Sequence, residues 1–186
     1  PQDIDPNKYQ SIIDLFNQST QKFQGHTAFK NMGVSLTYQD VNRLSADMAS
    51  FFQNECGLKK GDRVAIQMPN VLQYPIALFG ALRAGLVVVN TNPLYTSREM
   101  AHQLKDSGAK AIVILSTAAS RLQEILTETL VEKVVVTNVG DLFGFPKKQI
   151  VNAVIKHVKK MVPAYNLPQA YSWAEAIDLG AKSPFK

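Results

Sequence analysis

Short apolar runs that alternate with helical segments constrain the fold of this chain more than any other feature. Each of the first three runs is followed by an amphipathic pattern, and the four runs occupy positions 64–68, 86–90, 111–115 and 134–137. Buried strands separated by single helices are expected to pair in parallel, because parallel neighbours need a crossover connection. Right-handed crossovers then predict a doubly wound α/β fold, with a mainly parallel sheet and flanking helices.

The segment before the first run predicts two helices and a hairpin. Apolar residues recur at helical spacing over 12–23, and two short strand patterns follow at 27–30 and 34–38. Thr37, with Asp40 three positions later, is typical of a capping box, so a second helix is expected to begin there. Its buried stripe is expected at the apolar positions Val41, Leu44, Met48, Phe51 and Phe52.

Capping residues predict where the helices between the strands begin. A helix is expected over 70–82, opened by Asn70 as its cap. Thr96 and Glu99 have the spacing of a capping box for the next helix, and a third helix is expected over 118–130. These three helices are the crossovers that parallel strands require.

The alternation of strands and helices is expected to stop after Gly140. A helix is predicted over 147–162, and Ser172 is expected to cap a short last helix. We therefore divide the chain into an α/β unit over 1–140 and a second part over 141–186. The second part holds a basic amphipathic helix and a connecting segment of the same domain.

Positive charge is concentrated in the predicted helix over 147–162. The chain has a formal net charge of +5, and this stretch contains five lysines and no acidic residue. Because the chain has 20 basic and 15 acidic residues, the charges outside this stretch balance. A basic surface spread over the whole domain, as nucleic-acid binding would favour, is therefore not expected.

On a helical projection, the apolar residues of this basic helix share one face and the lysines lie opposite. This arrangement fits a membrane interface, where each lysine near an anionic leaflet contributes about 1 kcal/mol. The candidate membrane-contact residues are Lys148, Lys156, Lys159, Lys160, Ile150, Val154, Ile155 and Val158. The alternative is that the apolar face packs on the rest of the protein and the lysines are only solvated.

Composition and spacing argue against several other kinds of site. No apolar run reaches the roughly 18 residues that a membrane-spanning helix needs, and the opening Pro1 to Lys8 does not resemble a secretory signal. With Cys56 as its single cysteine, the chain is expected to be cytoplasmic. The three histidines lie far apart, so no metal site is expected, and no phosphate-loop or dinucleotide-binding motif occurs.

Three ordered strings resemble the adenylate-forming superfamily, which includes acyl-CoA synthetases, luciferases and peptide-synthetase adenylation domains. They are SLTYQDVNRLSADMASFF at 35–52, GLKKGDRVAIQMPN at 57–70 and ALRAGLVVVNTNPLYTSREMAHQL at 81–104. Within that superfamily, NTNPLYTSREM followed by VNAVIKHVKKMVPAYNLP is similar to the bacterial long-chain fatty-acid CoA ligases. The resemblance covers essentially the whole chain and implies an amino-terminal subdomain of an adenylate-forming enzyme.

The resemblance implies a two-step reaction in the parent enzyme. A long-chain fatty acid is first joined to AMP from MgATP with release of pyrophosphate, and the acyl group then passes to CoA. Family members hold the triphosphate with a loop of the type Tyr-Thr-Ser-Gly-Thr-Thr-Gly-x-Pro-Lys-Gly, and no such cluster occurs in the sequence. We therefore expect a truncated piece that has no catalytic residue of its own and is inactive when isolated. ATP, magnesium and CoA are expected to be bound by the parent enzyme only.

A candidate CoA-binding loop lies just past the carboxyl end of the second predicted parallel strand, where ligands gather in open parallel sheets. By resemblance to acyl-CoA synthetases, Pro93, Leu94, Tyr95 and Arg121 fall where the nucleotide end of CoA docks. A guanidinium suits phosphate because it forms bidentate hydrogen bonds. The alternative is that the proline and tyrosine only shape a turn and that Arg121 is a solvated surface charge.

Two other interpretations of the chain stay open at this point. The first is a stand-alone flavodoxin-like binding or membrane-association module with no ATP chemistry. The second is a structural role in self-association, as a homo-oligomer. For a ligase, we expect a cytoplasmic location, peripheral to the inner membrane, at an anionic membrane surface.

Overall fold

The computed structural model describes residue 5 and residues 8–185, and most of the opening segment that we compared with a secretory signal lies outside them. Seven helices are described: α1 Ile12–Lys22, α2 Tyr38–Ser50, α3 Gln73–Arg83, α4 Ser97–Ser107, α5 Ala119–Ile125, α6 Lys147–Ala153 and α7 Trp173–Gly180. Seven strands are described: β1 Thr27–Asn31, β2 Val34–Thr37, β3 Arg63–Gln67, β4 Val87–Asn90, β5 Ala111–Leu115, β6 Lys133–Thr137 and β7 Tyr171–Ser172. Single π-helical turns extend α2 to Glu55 and α6 to Val158.

Five strands form one parallel sheet in the order β4-β3-β5-β6-β7. This is the flavodoxin-like strand order, and its direction of winding reverses between β3 and β5. The remaining two strands, β1 and β2, form the predicted antiparallel hairpin. The doubly wound α/β fold predicted from the sequence is therefore confirmed.

Each face of the sheet has its own apolar core. Residues of β5 alternate between them: Val113 packs with α2, α3 and α7, whereas Ile112 and Ile114 pack with α4 and α5. All five residues of β5 are buried, because helices cover this central strand on both sides. Burial of both faces explains why the strand reads as an uninterrupted apolar run.

The last helix, α7, packs closely against α2. Ser172 caps α7 through the predicted bond, accepting from the backbone N–H of Glu175 at 3.2 Å. Trp173 and Ala176 are buried in the core that α2 shares, and Gly180 lies directly against the α2 backbone at Asp47. This packing attaches the end of the chain to the same core as its beginning.

Two expected features between 70 and 90 differ from the structure. Helix α3 begins at Gln73 without a side-chain cap, so Asn70 does not open it. Instead, the carbonyl of Asn70 accepts a hydrogen bond from Asn31 of the hairpin at 3.0 Å. The strand predicted at 86–90 forms as β4, but it is not buried as expected. It is the edge strand of the sheet, and Val87 is 48% exposed. A run of valines can form either an edge strand or a central strand, so the sequence does not distinguish the two. The strand order of the folded sheet does.

Three further expectations after residue 115 were wrong. The alternation does not stop at Gly140, because β7 adds a fifth parallel strand beside β6. The helix expected to reach position 130 ends as a short 3₁₀ turn at Glu128, since Thr129 is extended. The basic helix ends at Val158 and not at 162, because Lys160 takes a left-handed conformation with φ of 50°, which ends a helix.

Among the described residues, no helix is both long and apolar enough to cross a membrane.

Candidate functional site

The loop that follows β4 lies at the carboxyl edge of the sheet. It is closed as an Asx turn: the side-chain Oδ1 of Asn92 accepts from the N–H of Leu94 at 2.9 Å, and its carbonyl accepts from the N–H of Tyr95 at 3.1 Å. The side chain of Leu94 is 85% exposed, whereas Pro93 and Tyr95 are half-buried. The loop therefore presents an apolar tip on a closed turn, next to the start of α4.

Arg121 reaches this loop from α5. Its Nη2 donates a hydrogen bond to the carbonyl of Pro93 at 2.9 Å, and the residue is half-buried. Its Nε is buried and has no hydrogen-bond partner among the described residues. The structure thus brings Arg121 together with the loop over 93–95, as the candidate site requires, with part of the guanidinium directed at the backbone.

Two glutamines that the sequence analysis did not single out also hold this segment. Gln67, the last residue of β3, is fully buried and donates from Nε2 to the carbonyl of Asn92 at 3.0 Å. Gln103 of α4 donates from Nε2 to the carbonyl of Asn90 at 3.0 Å. A polar residue that ends a buried apolar strand is a visible signal in the sequence, because such a side chain needs a specific partner.

An open cavity of about 740 Å³ adjoins this loop along α4. Its lining carries both signs of charge, with Arg98 beside Glu99 and Asp106. Hydrogen bonds from Thr96, the cap of α4, lower the pKa of the Glu99 carboxyl, which favours its ionised form in the capping box. The cavity therefore has no uniform positive charge for an anion.

The basic helix α6 and its π-helical turn present both of the expected surfaces. On one side, an open cavity of about 910 Å³ is lined by Lys148, Lys156 and His157 and faces the loop over 162–165. On the other side, apolar side chains are left exposed: Ile150 at 58%, Val154 at 36%, Val158 at 73% and Met161 at 53%. We call these four residues the α6 apolar stripe.

The other residues of this region are divided between the core and the surface. Val151 packs against the main core, and Ile155 is half-buried. Lys159 and Lys160 are exposed just beyond the helix. Lys147 is not free, because its Nζ donates to the carbonyl of Met32 in the hairpin turn. The α6 apolar stripe is thus only part of the apolar face that the helical projection predicts.

Cys56 is buried in the core. Burial raises the pKa of the Cys56 thiol to about 12, so the reactive thiolate is scarce at neutral pH. Across residues 8–185, no three or more His, Cys, Asp or Glu side chains are grouped in a way that would hold a metal ion.

The fold is shared with solved structures of adenylate-forming ligases. The anthranilate CoA ligase AuaEII, solved with anthranoyl-AMP, superposes with a TM-score of 0.73 over 96% of this chain and 29% of the other, at 14% identity. A putative long-chain-fatty-acid CoA ligase from Rhodopseudomonas palustris gives 0.72 over 96% of this chain and 38% of the other, at 19% identity. At these identities the likeness establishes the fold.

The chain belongs to the AMP-binding enzyme family, whose sequence profile matches residues 16–176. It is 48% identical over 185 residues to a long-chain-fatty-acid–CoA ligase of Escherichia coli O6:H1, covering 100% of this chain and 33% of the relative. A ligase of the same description from Haemophilus influenzae is 49% identical over 177 residues, which are 95% of this chain and 32% of the relative. The chain thus spans about a third of the length of these relatives.

Proposed function

We propose that this chain is part of a long-chain fatty-acid CoA ligase that works through an acyl-adenylate. The supporting observation is its identity of 46–49% to bacterial ligases of that description, over nearly all of its length. No comparison favours the alternative of a stand-alone binding module. Formation of palmitoyl-CoA, AMP and pyrophosphate in equal amounts by the full-length protein tests the proposal, and a product without AMP would contradict it.

The proposed reaction has two displacements. A carboxylate oxygen of the fatty acid attacks the α-phosphorus of MgATP, and the bond to the pyrophosphate group breaks. The sulfur of CoA then attacks the acyl carbonyl, AMP leaves, and the thiol proton is released. The described residues form neither a triphosphate-binding loop nor a cluster of carboxylates for magnesium, so we assign no catalytic residue among them.

Within the ligase, we assign the loop Pro93, Leu94 and Tyr95 to contact with the nucleotide end of CoA. Its position at the carboxyl edge of the parallel sheet supports this, because ligands of open α/β sheets bind there. The exposed side chain of Leu94 supplies apolar surface for an adenine ring. Arg121 contributes positive charge beside the loop, to which it is hydrogen-bonded.

Leu94→Ala and Arg121→Ala in the full-length protein are each expected to raise the KM for CoA about five-fold. A change of this size corresponds to roughly 1 kcal/mol of lost apolar contact or hydrogen bonding. The KM for ATP is expected to stay the same, because the triphosphate is assigned elsewhere. Steady-state kinetics with each substrate varied in turn provide the measurement.

Leu130→Ala is the matched control. Leu130 is 64% exposed and lies just before β6, at the amino ends of the parallel strands and not at their carboxyl ends. It is expected to leave both Michaelis constants unchanged. If Leu94→Ala and Leu130→Ala give the same KM for CoA, the loop does not contact CoA.

We also propose that α6 brings the ligase to an anionic membrane surface, at the cytoplasmic side of the inner membrane. The α6 apolar stripe supports this proposal, because three of its exposed side chains, Ile150, Val154 and Val158, recur every four residues along the helix, and Met161 follows just beyond it. The exposed Lys156, Lys159 and Lys160 add positive charge to the same segment. An enzyme that consumes long-chain fatty acids gains from a position where they partition.

Reversal of all three charges, Lys156→Glu, Lys159→Glu and Lys160→Glu, is expected to weaken binding to anionic vesicles by at least about 100-fold. Each lysine near an anionic leaflet is worth about 1 kcal/mol, and a factor of ten corresponds to 1.4 kcal/mol. Cosedimentation of the full-length protein with vesicles that contain phosphatidylglycerol measures the effect.

A second triple variant, Lys22→Glu, Lys30→Glu and Lys182→Glu, makes the same change in net charge at exposed lysines outside α6. It is expected to keep most of the binding. Equal losses in the two variants would mean that overall charge, and not this helix, governs binding.

A further inference from the structure

Three side chains from three different elements converge on the backbone at the Asx turn and just before it. Gln103 of α4, Gln67 of β3 and Arg121 of α5 donate to the carbonyls of Asn90, Asn92 and Pro93, at 3.0, 3.0 and 2.9 Å. Three of the carbonyls within four consecutive residues are therefore held by side chains distant in sequence. We call Gln67, Gln103 and Arg121 the loop cradle.

The loop does not need these bonds in order to turn. The Asx turn at Asn92 already closes it, and the N–H of Thr91 continues the sheet by donating to Ile66 at 3.0 Å. The bonds of the loop cradle tie this segment to β3, α4 and α5, and at the Asn92 carbonyl the bond from Gln67 is added to the one from the N–H of Tyr95. A segment held this way keeps one position when its exposed tip meets a ligand.

Each member of the loop cradle also has a polar atom that is buried and has no partner. These atoms are Oε1 of Gln67, Oε1 of Gln103 and Nε of Arg121, and they make up three of the five such side-chain atoms found among the described residues. Leaving a buried polar atom unpaired is unfavourable, and apolar side chains would fill the same space without this cost. Residues selected only for stability would not be expected to show this pattern.

We propose that Gln67, Gln103 and Arg121 are positioning residues that preorganise the loop Pro93–Tyr95 for CoA. The inference rests on the proposed CoA contact of that loop. Gln67 and Gln103 act through the backbone of the loop and do not touch the ligand. Arg121 has one nitrogen committed to the loop, so its contribution to CoA binding is at least partly indirect. Preorganisation of a binding loop raises affinity because less ordering is required on binding.

Gln67→Met removes the donor and the unpaired acceptor but keeps nearly the same volume. In the full-length protein we expect the KM for CoA to rise about five-fold, the loss of one net hydrogen bond, with the KM for ATP unchanged. We also expect the amides of peptide 91–97 to exchange with solvent about five-fold faster. Hydrogen exchange with mass spectrometry gives a readout that needs no substrate.

Gln73→Met is the matched control. Gln73 is equally buried, and it too has an unpaired Oε1, but its Nε2 donates to the carbonyl of Asn138 at 2.7 Å, away from the loop. The same chemical change there is expected to alter neither the exchange of peptide 91–97 nor the KM for CoA. Gln103→Met, at a half-buried site, is a second test of the cradle if Gln67→Met does not fold.

The outcomes separate this inference from the proposed function. Unchanged exchange in peptide 91–97 for both Gln67→Met and Gln103→Met would overturn the cradle, even if Leu94→Ala weakens CoA binding. Faster exchange in that peptide without any change in the KM for CoA would confine the cradle to a structural role and refute positioning. Faster exchange together with a higher KM for CoA, absent from Gln73→Met, is the result we expect.

Discussion

Gly180→Ala is expected to lower the free energy of unfolding by about 3 kcal/mol, the upper end of the usual cost of overpacking a core. A methyl group at this position would overlap the carbonyl oxygen of Asp47 and lie 2.7 Å from its carbonyl carbon and 3.2 Å from the N–H nitrogen of Phe51. These are backbone atoms of α2 and its π-helical turn, so no side-chain rotation relieves the overlap. Helix α7 would have to move away from α2.

Urea-induced unfolding of the purified protein measures this change, with Gly25→Ala as the control. A methyl group at Gly25 would have no neighbour within 4 Å, so that variant is expected to unfold within about 0.5 kcal/mol of the parent. If Gly180→Ala is as stable as Gly25→Ala, α7 does not pack on α2 as described here.

The closeness of α7 to α2 also has a consequence for the candidate sites. Helix α7 directly follows β7, which closes the far side of the sheet from β4. The segment that includes α6 is therefore held at both ends, by β6 before it and by β7 after it. A shift of α7 in Gly180→Ala is expected to affect α6 more than the loop over 93–95.

Much of the fold was predictable because its signals are local. Thr37, Thr96 and Ser172 each cap a helix and accept from the N–H three residues later, a relation that the sequence displays directly. The buried strand β5 is an apolar run of five residues, and a central parallel strand leaves no polar face. Parallel pairing then follows from the crossover helices.

The elements that were missed depend on distant contacts. Strand β7 has only two residues, too few to show any periodicity, and it exists because β6 offers a free edge. Asn70 is a residue type that commonly caps helices, but its side chain does not cap α3. Its carbonyl accepts a hydrogen bond from the hairpin residue Asn31. Left-handed residues that end helices are usually glycines, but here the residue is Lys160. The sequence therefore shows no sign of the helix end, and we placed it too late.

The candidate site was only partly predictable for the same reason. Sequence position placed Pro93–Tyr95 at the end of a strand and Arg121 near the start of a helix, and the structure brings them into contact. The direction of the guanidinium depends on a part-buried hydrogen bond to the carbonyl of Pro93, 28 residues away in the chain. Gln67 lies within the apolar run predicted at 64–68 and was not singled out, because its partner at Asn92 lies 25 residues away.

The second prediction with a large expected effect concerns formation of the acyl-adenylate. Full-length protein is expected to exchange labelled pyrophosphate into ATP when a long-chain fatty acid is present, because the first displacement is reversible and precedes CoA. The chain of 186 residues alone is expected to show no exchange above background, since neither a triphosphate-binding loop nor a catalytic residue was assigned to it. The exchange rates of the full-length protein and the isolated chain should therefore differ by the full range that the assay can measure.

Fatty-acid-dependent exchange between pyrophosphate and ATP, measured side by side for the full-length protein and this chain, is the most direct test. Exchange by the full-length protein that requires fatty acid but not CoA, together with none by the isolated chain, is the predicted result. Exchange by the isolated chain would contradict the assignment of nucleotide chemistry to other residues. Its absence from folded full-length protein would contradict the proposed ligase function.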